Sequence, residues 1–347
     1  MRAVVYTRPG DPSVLAVERR PVPEPGSGEV LVRVAVSGVN PTDWKTRRSG
    51  APPAGGWQIP NQDGAGVVEA VGEGVDAGLV GERVWIWEAA WQRPWGTAAE
   101  YTLVPSRQVA RLGPASFDLG ASLGIPFLTA HRCLTAGETM PDRINAGAMD
   151  GRVVLVQGGA GAVGNAAIQL ARWADATVVA TVSGPEKAQL AAAAGADHVV
   201  DYRRQDVVEE VRRISPRGVD TIVEVAPVTN AETDVQVVAP DACVSVYAAG
   251  AGGGLTLPVR PLMAPNARWQ FVLVYTVAEA AKARAVYDVA AAAAEGVLRV
   301  GPEAGLPLHY YPLEEAAAAH AAVEGGAVGK VLILTSDGDA AATPAPS

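Results

Sequence analysis

The chain has 347 residues, 49% of them hydrophobic and 19% charged, enough for two globular domains that each bury a core. A formal net charge of −9 with no basic run excludes nucleic acid and anionic membranes as expected partners, and no stretch approaches the roughly 20 apolar residues of a membrane span. Met1-Arg2-Ala3-Val4-Val5-Tyr6 reads as a strand rather than a signal peptide, and Cys133 and Cys243 are too few for a disulfide framework or a cysteine zinc site, so a cytoplasmic location is expected.

Over about the first 110 residues, short strand-like runs alternate with Pro and Gly turns: Glu29 to Val36, Gly66 to Val71, Arg83 to Trp87 and Ala98 to Val104. This pattern predicts a partly closed all-β barrel. From Ala121 the texture changes. Leu123 to Ala136 reads as a helix, followed by strand 153–157, helix 162–174, strand 177–182, helix 185–194, strand 198–201, helix 205–213, strand 219–225 and strand 242–248. Strands separated by helices predict an α/β fold with a parallel, doubly wound sheet. Lys282 to Glu295 and Leu313 to Glu324 are alanine-rich helices, and Val331 to Leu334 is a last strand, assigned to the first domain because the doubly wound fold is complete before it. The tail 336–347, rich in Ala, Pro and Asp, is expected to be disordered.

Within that pattern, Val153 to Val156 runs into Gln157-Gly158-Gly159-Ala160-Gly161-Ala162-Val163-Gly164 and then a helix. Gly159, Gly161 and Gly164 give G-x-G-x-x-G, the local form of a dinucleotide site. The first suits a tight turn, the second lets backbone approach a pyrophosphate, and the third lets helix pack on strand. The strand 177–182 then ends in Ser183-Gly184-Pro185-Glu186-Lys187, where an NAD site would place an acid against the ribose 2′-hydroxyl. A hydroxyl at Ser183 and a cation at Lys187 suit a 2′-phosphate instead, so NADPH is favoured over NADH. Glu186 reads as closing a capping box with Ser183.

Further motifs stand in a fixed order: Gly38-Val39-Asn40-Pro41-Thr42-Asp43, Asp63-Gly64-Ala65-Gly66-Val67-Val68-Glu69 with Val71-Gly72, Gly81-Glu82-Arg83-Val84, Gly96-Thr97-Ala98-Ala99-Glu100-Tyr101, Thr129-Ala130, Gly195-Ala196-Asp197-His198, Glu224-Val225-Ala226, Ala319-His320 and Gly329-Lys330-Val331. With these the chain resembles the medium-chain dehydrogenase/reductase superfamily, in its zinc-free quinone oxidoreductase branch. The resemblance implies a GroES-like catalytic domain (1–124, completed by 275–335), an NADPH-binding Rossmann domain (125–274), an active site in the cleft between them and a homodimer. It places Asn40 near the nicotinamide ribose and substrate, and Thr129 near the nicotinamide. Gly159 through Gly164, with Ala160, Ala162 and Val163, would hold the pyrophosphate. Ser183, Lys187 and Tyr202 would surround the 2′-phosphate, with Arg203 as a second cation.

Zinc-dependent relatives need a cysteine near position 40 and a His-Glu pair near 62 and 63. Here stand Asn40, Gln62 and Asp63, so no metal is expected. His131, His198, His309 and His320 have no partner at metal spacing and read as structural. Asp43-Trp44-Lys45-Thr46-Arg47 departs from the tyrosine-bearing pattern of many quinone reducers and looks more like relatives that reduce enones and alkenals, with Lys45 a candidate for stabilising an enolate oxygen. Trp85, Trp87, Trp91 and Trp95 fall where the family puts part of its substrate wall. Trp44, Trp87 and Trp91 are therefore expected to meet a flat, conjugated substrate. The expected activity is NADPH-dependent reduction of quinones or other α,β-unsaturated carbonyl compounds, by hydride or single-electron transfer. The alternatives are a biosynthetic enoyl reductase acting on a polyketide-like intermediate and a non-catalytic NADPH-binding protein.

Overall fold

A computed structural model describes residues 1–50, 52, 55–250 and 254–336. The chain divides into two units: Met1–Ile125 together with the chain from Leu308 onward, and Pro126–Pro307. From residue 337 on, the tail expected to be disordered lies outside the described residues.

The first unit opens with a hairpin-like antiparallel pair, β1 (Arg2–Val5) and β2 (Ala16–Arg19). Then follow β3 (Glu29–Val39), α1 (Pro41–Ser49), β4 (Asp63–Val71), β5 (Arg83–Ile86), β6 (Tyr101–Pro105) and β7 (Val109–Arg111). Long β3 organises this unit: β4 pairs along one edge, while the other is shared between β6 at Glu29 to Arg33 and a C-terminal strand at Val36 to Val39. Val30, Val32 and Val34 point into a core with Val68, Val84, Ile86 and Val104, as the period of two in a β-branched strand requires. The helix α1 was not foreseen in the all-β stretch. Its start is set by Pro41 at the first helical position and by Asp43, whose carboxylate accepts the Asn40 N–H. The next helix, α2 (Phe117–Leu134), spans the point where the units divide and carries Pro126 in its interior.

The second unit contains β8 (Val153–Val156), α3 (Ala162–Trp173), β9 (Thr177–Val182), α4 (Pro185–Ala193), β10 (His198–Asp201), α5 (Val207–Ile214), β11 (Val219–Glu224), α6 (Pro227–Val237), β12 (Val238–Val246), α7 (Val259–Met263), β13 (Arg268–Phe271) and α8 (Glu279–Ala294). Its six strands form a parallel sheet in the order β10-β9-β8-β11-β12-β13. Leu155, Val179, Ile222 and Val244 bury one face of it with Val211 of α5 and Val237 of α6. Three elements of this unit are absent from the sequence expectations: α6, the five-residue α7 and β13. The α6 segment is rich in Val, Thr and Asn, weak helix formers that tertiary packing overrides, and β13 is a four-residue edge strand, too short to show a period.

Reading 275–335 as completing the first domain is corrected. The segment through Pro307 belongs to the second unit, because Asn165 and Gln169 of α3 donate their amides to the carbonyls of Ala304 and Arg299, and α8 buries Ala285, Val289 and Ala292. The first unit resumes at β14 (Leu308–Pro312), α9 (Ala316–Glu324) and β15 (Lys330–Leu334), with β15 antiparallel on β3 and parallel to β14. Among the described residues, no helix is long and apolar enough to cross a membrane.

Candidate cofactor and active site

The parallel sheet reverses its order between β8 and β11, and strands diverging at their carboxyl ends leave a crevice there. The turn after β8 is built from glycines with distinct duties. Gly158, at φ 73°, takes the left-handed turn, so that duty sits one residue upstream of the Gly159 the motif suggested. A Cβ on Gly159 would stand 2.8 Å from the Ala180 Cβ of β9. One on Gly164 would meet the Gly158 carbonyl oxygen at 2.4 Å, which is the close helix-to-strand packing expected of it. Gly161 is the N-cap of α3, and a Cβ there would find only the Gly158 oxygen at 3.5 Å. With no side chain capping it, α3 leaves the first-turn N–H groups of Ala162, Val163 and Gly164 without an intrahelical acceptor, the form of a cradle for anionic oxygen.

Beside this turn is a cavity of about 820 Å³. Gln157 and Gly158 after β8, Thr181 in β9, Tyr202 after β10, and Val225 and Asn230 beyond β11 line it. Tyr202 thus reaches the crevice, with about half its surface exposed. Ser183 and Lys187 are half-buried and Arg203 is exposed; neither the Lys187 ammonium nor the Arg203 guanidinium has a carboxylate partner among the described residues. The capping box read for Ser183 is corrected. Gly184 is the N-cap of α4 and Pro185 its first residue, so the Ser183 hydroxyl is not spent on the helix.

In the first unit, Asn40, which follows β3 and is the N-cap of α1, lies in a fully buried polar cluster. Its Nδ2 donates to Asp63 Oδ2 at 2.7 Å, and Lys330 Nζ donates to Asn40 Oδ1 at 2.8 Å and to Asp63 Oδ2 at 3.4 Å. Asp63 Oδ1 accepts the N–H of Ile125, the residue before Pro126 inside α2. The side chain of Asn40 is therefore held at both ends, by a carboxylate and by a lysine the sequence reading treated only as part of a motif. Burial pushes Asp43 up to about 8, with Asp63 adding to the rise and Lys330 opposing it. Burial likewise raises Asp63 and lowers Lys330. Lys330 and Asp63 form a buried ion pair at 3.4 Å, while Asp43 is shifted toward its protonated form near neutral pH.

The stability consequence has a definite sign. From the ordinary carboxyl value near ~4 up to about 8, folded Asp43 keeps a proton that the unfolded chain releases. Its contribution to stability accordingly falls as pH rises through that window and levels off above it. Asp43→Asn removes this dependence while keeping an acceptor for the Asn40 N–H. In urea titrations the variant gains on the native protein between about pH 5 and 8; a constant gap would contradict a protonated Asp43 in the folded protein.

Lys45 lies outside this cluster. It is exposed on α1, its ammonium 5.7 Å from the ring centre of half-buried Trp44. The tryptophans do not form one wall. Trp87 is buried against Trp85 at 4.7 Å, leaving little ring surface for a substrate, whereas Trp95 packs edge-on against Trp57 at 5.0 Å and Trp91 is half-buried. Thr129 is buried on α2 in the second unit. His131 hydrogen-bonds Asp288, which also takes Arg143 and the Ile144 N–H; that partner lies too far along the chain for spacing to show.

The models of two families match this chain: an alcohol dehydrogenase GroES-like domain over residues 26–114 and a zinc-binding dehydrogenase domain over 162–291. The quinone oxidoreductase of Lama guanicoe is 30% identical over 344 residues, covering 96% of this chain and 97% of its own. The chain belongs to the medium-chain dehydrogenase/reductase superfamily, in its zinc-free quinone oxidoreductase branch. As in that superfamily, its α/β fold pairs a GroES-like barrel with a doubly wound Rossmann sheet. Two solved structures are similar along nearly the whole length. An NAD-dependent alcohol dehydrogenase is 29% identical with a TM-score of 0.83, covering 97% of this chain and 100% of its own. A native mycobacterial protein complexed with NADPH is 28% identical with a TM-score of 0.79, covering 96% and 100%. Despite the second family's description, the residues here do not suit zinc: Asn40, Gln62 and Asp63 stand at the ligand positions, and the Lys330 ammonium already occupies the cation's place beside Asp63. Among the described residues, no three of His, Cys, Asp and Glu are grouped to hold a metal.

Proposed function

We propose that this enzyme is an NADPH-dependent, metal-independent reductase of quinones or other α,β-unsaturated carbonyl compounds. The observation that carries the cofactor half is the turn itself: an uncapped α3 behind glycines, with Lys187, Arg203 and the Ser183 hydroxyl nearby, none of them with a side-chain partner among the described residues. Gly159 through Gly164 would receive the pyrophosphate, and Ser183, Lys187, Tyr202 and Arg203 the 2′-phosphate. Bound NADPH supplies a hydride to an electron-poor carbon. Asn40, held by Asp63 and Lys330, and Thr129 would orient the reacting ring and substrate. Lys45, an exposed ammonium next to Trp44, would stabilise oxyanion charge as it develops on the acceptor. The quinone oxidoreductase relatives support a quinone, while the Asp43-Trp44-Lys45 segment favours an enone. The homodimer implied by the resemblance is part of this proposal.

The test is NADPH consumption against a panel of ortho-quinones, para-quinones and simple enones. Turnover with at least one acceptor is expected, with Lys45→Ala lowering enone rates by about ten- to a hundredfold and quinone rates less. Saturable NADPH binding with no turnover on any acceptor would leave a non-catalytic nucleotide-binding protein.

A further inference from the structure

Behind the crevice a chain of buried hydrogen bonds joins the glycine turn to α6. Thr181 Oγ1 accepts the Gly158 N–H at 3.3 Å and donates to Gln157 Oε1 at 2.6 Å, and Gln157 Nε2 donates to Asp234 Oδ1 at 3.0 Å. Asp234 is fully buried, and its Oδ2 meets no N–H or O–H donor of the described residues. The group beside it is Glu224, equally buried, whose carboxylate takes the Ala226 N–H and the Asn230 amide. Gln157, Gly158, Thr181, Ala226 and Asn230 all line the cavity, while the two acids sit behind them.

Two bare carboxylates side by side in the core would repel each other and leave an oxygen unmet. A single proton between them removes one charge and supplies Oδ2 with the donor it lacks. Burial raises both acids, and the neighbouring charge of Glu224 raises Asp234 further, in keeping with this arrangement. The amide of Gln157 is then locked in one orientation, Oε1 toward Thr181 and Nε2 toward Asp234. Thr181 in turn fixes the N–H of Gly158, the residue that makes the left-handed turn.

We propose that Thr181, Gln157 and the Asp234–Glu224 pair, joined by one shared proton, are positioning residues that hold the glycine turn in its dinucleotide-binding shape. The proposal rests on the reading that this turn takes NADPH. Nothing in the glycine motif signals it, since Asp234 lies far along the chain from Gln157.

Binding is measured by isothermal titration with NADPH, alongside thermal melting of each variant. Gln157→Leu and Asp234→Ala each weaken NADPH binding by about tenfold or more, and weaken NADH binding in proportion, because the turn rather than the 2′-phosphate contacts is disturbed. Asp234→Asn restores affinity to within about twofold of the native protein, since an amide can accept from Gln157 and donate to Glu224 as a protonated acid does. The infrared difference between native protein and Asp234→Asn near neutral pH shows the carbonyl stretch of a buried carboxylic acid. If native protein binds NADPH and Gln157→Leu binds it equally well, or Asp234→Asn is as weak as Asp234→Ala, the inference falls and the cofactor reading stands. If native protein does not bind NADPH, both fall. Should Gln157→Leu not fold, the comparison of Asp234→Ala with Asp234→Asn and the infrared signature decide.

Discussion

Lys330→Met lowers stability by about 3–5 kcal/mol, the cost of breaking a buried ion pair from one side. Lys330 is wholly buried, and its ammonium is the cation of the Asn40, Asp43 and Asp63 cluster. Without it Asn40 loses the donor to its Oδ1, and Asp63 must either stay charged in the core or take up a proton. Adding Asp63→Asn to Lys330→Met returns part of the loss, because a neutral amide still accepts the Ile125 N–H and needs no counter-charge. Denaturant titration of the single and double variants checks both statements. A loss below about 1 kcal/mol for Lys330→Met, the size of a surface pair, would mean that the ammonium is not what holds the cluster together.

The second large effect is expected at Gly164. A Cβ there would stand 2.4 Å from the Gly158 carbonyl oxygen and 3.0 Å from the Gly159 Cα, both backbone atoms that no rotamer change can move aside. Gly164→Val therefore pushes α3 away from the turn. Overpacking of this kind costs about 1–3 kcal/mol, and because the displaced groups are the cradle itself, NADPH binding weakens by about ten- to a hundredfold. Gly161→Ala is the control at the same turn: a Cβ there meets only the Gly158 oxygen at 3.5 Å, and the residue has φ −80°. Its effect reports instead how close the phosphates come. Titration with NADPH separates the two, and an unaltered affinity in Gly164→Val would remove the turn from the binding site.

The parts of this molecule legible in sequence are those specified by local physics. The strand at Val153 to Val156, the glycine turn and α3 follow one another with the right periods, and all three stand where the sequence puts them. The last strand was assignable to the barrel because the doubly wound pattern had closed before it, and β15 does pair with β3. What escaped was decided by distant partners. Residues 299–304 are tied to α3 by the amides of Asn165 and Gln169, which donate to their carbonyls, and α6 forms from poor helix formers because Val237 and Asp234 have buried places to fill. The candidate site divides in the same way. Gly161 and Gly164 carry their duties in their spacing, whereas the hold on Asn40 needs Lys330 from the other end of the chain. Trp87, one of four tryptophans close in sequence, spends its ring on Trp85. Composition could suggest an aromatic wall but could not show which rings were already stacked.

The central claim is that the crevice at the carboxyl ends of the parallel strands, where the sheet order reverses between β8 and β11, is built for a phosphorylated dinucleotide. Isothermal titration of the native protein with NADPH and with NADH under the same conditions tests it most directly. Charge-assisted contacts from Ser183, Lys187 and Arg203 to a 2′-phosphate predict saturable NADPH binding at least about tenfold tighter than NADH. Equal affinities, or no saturation with either, would contradict it.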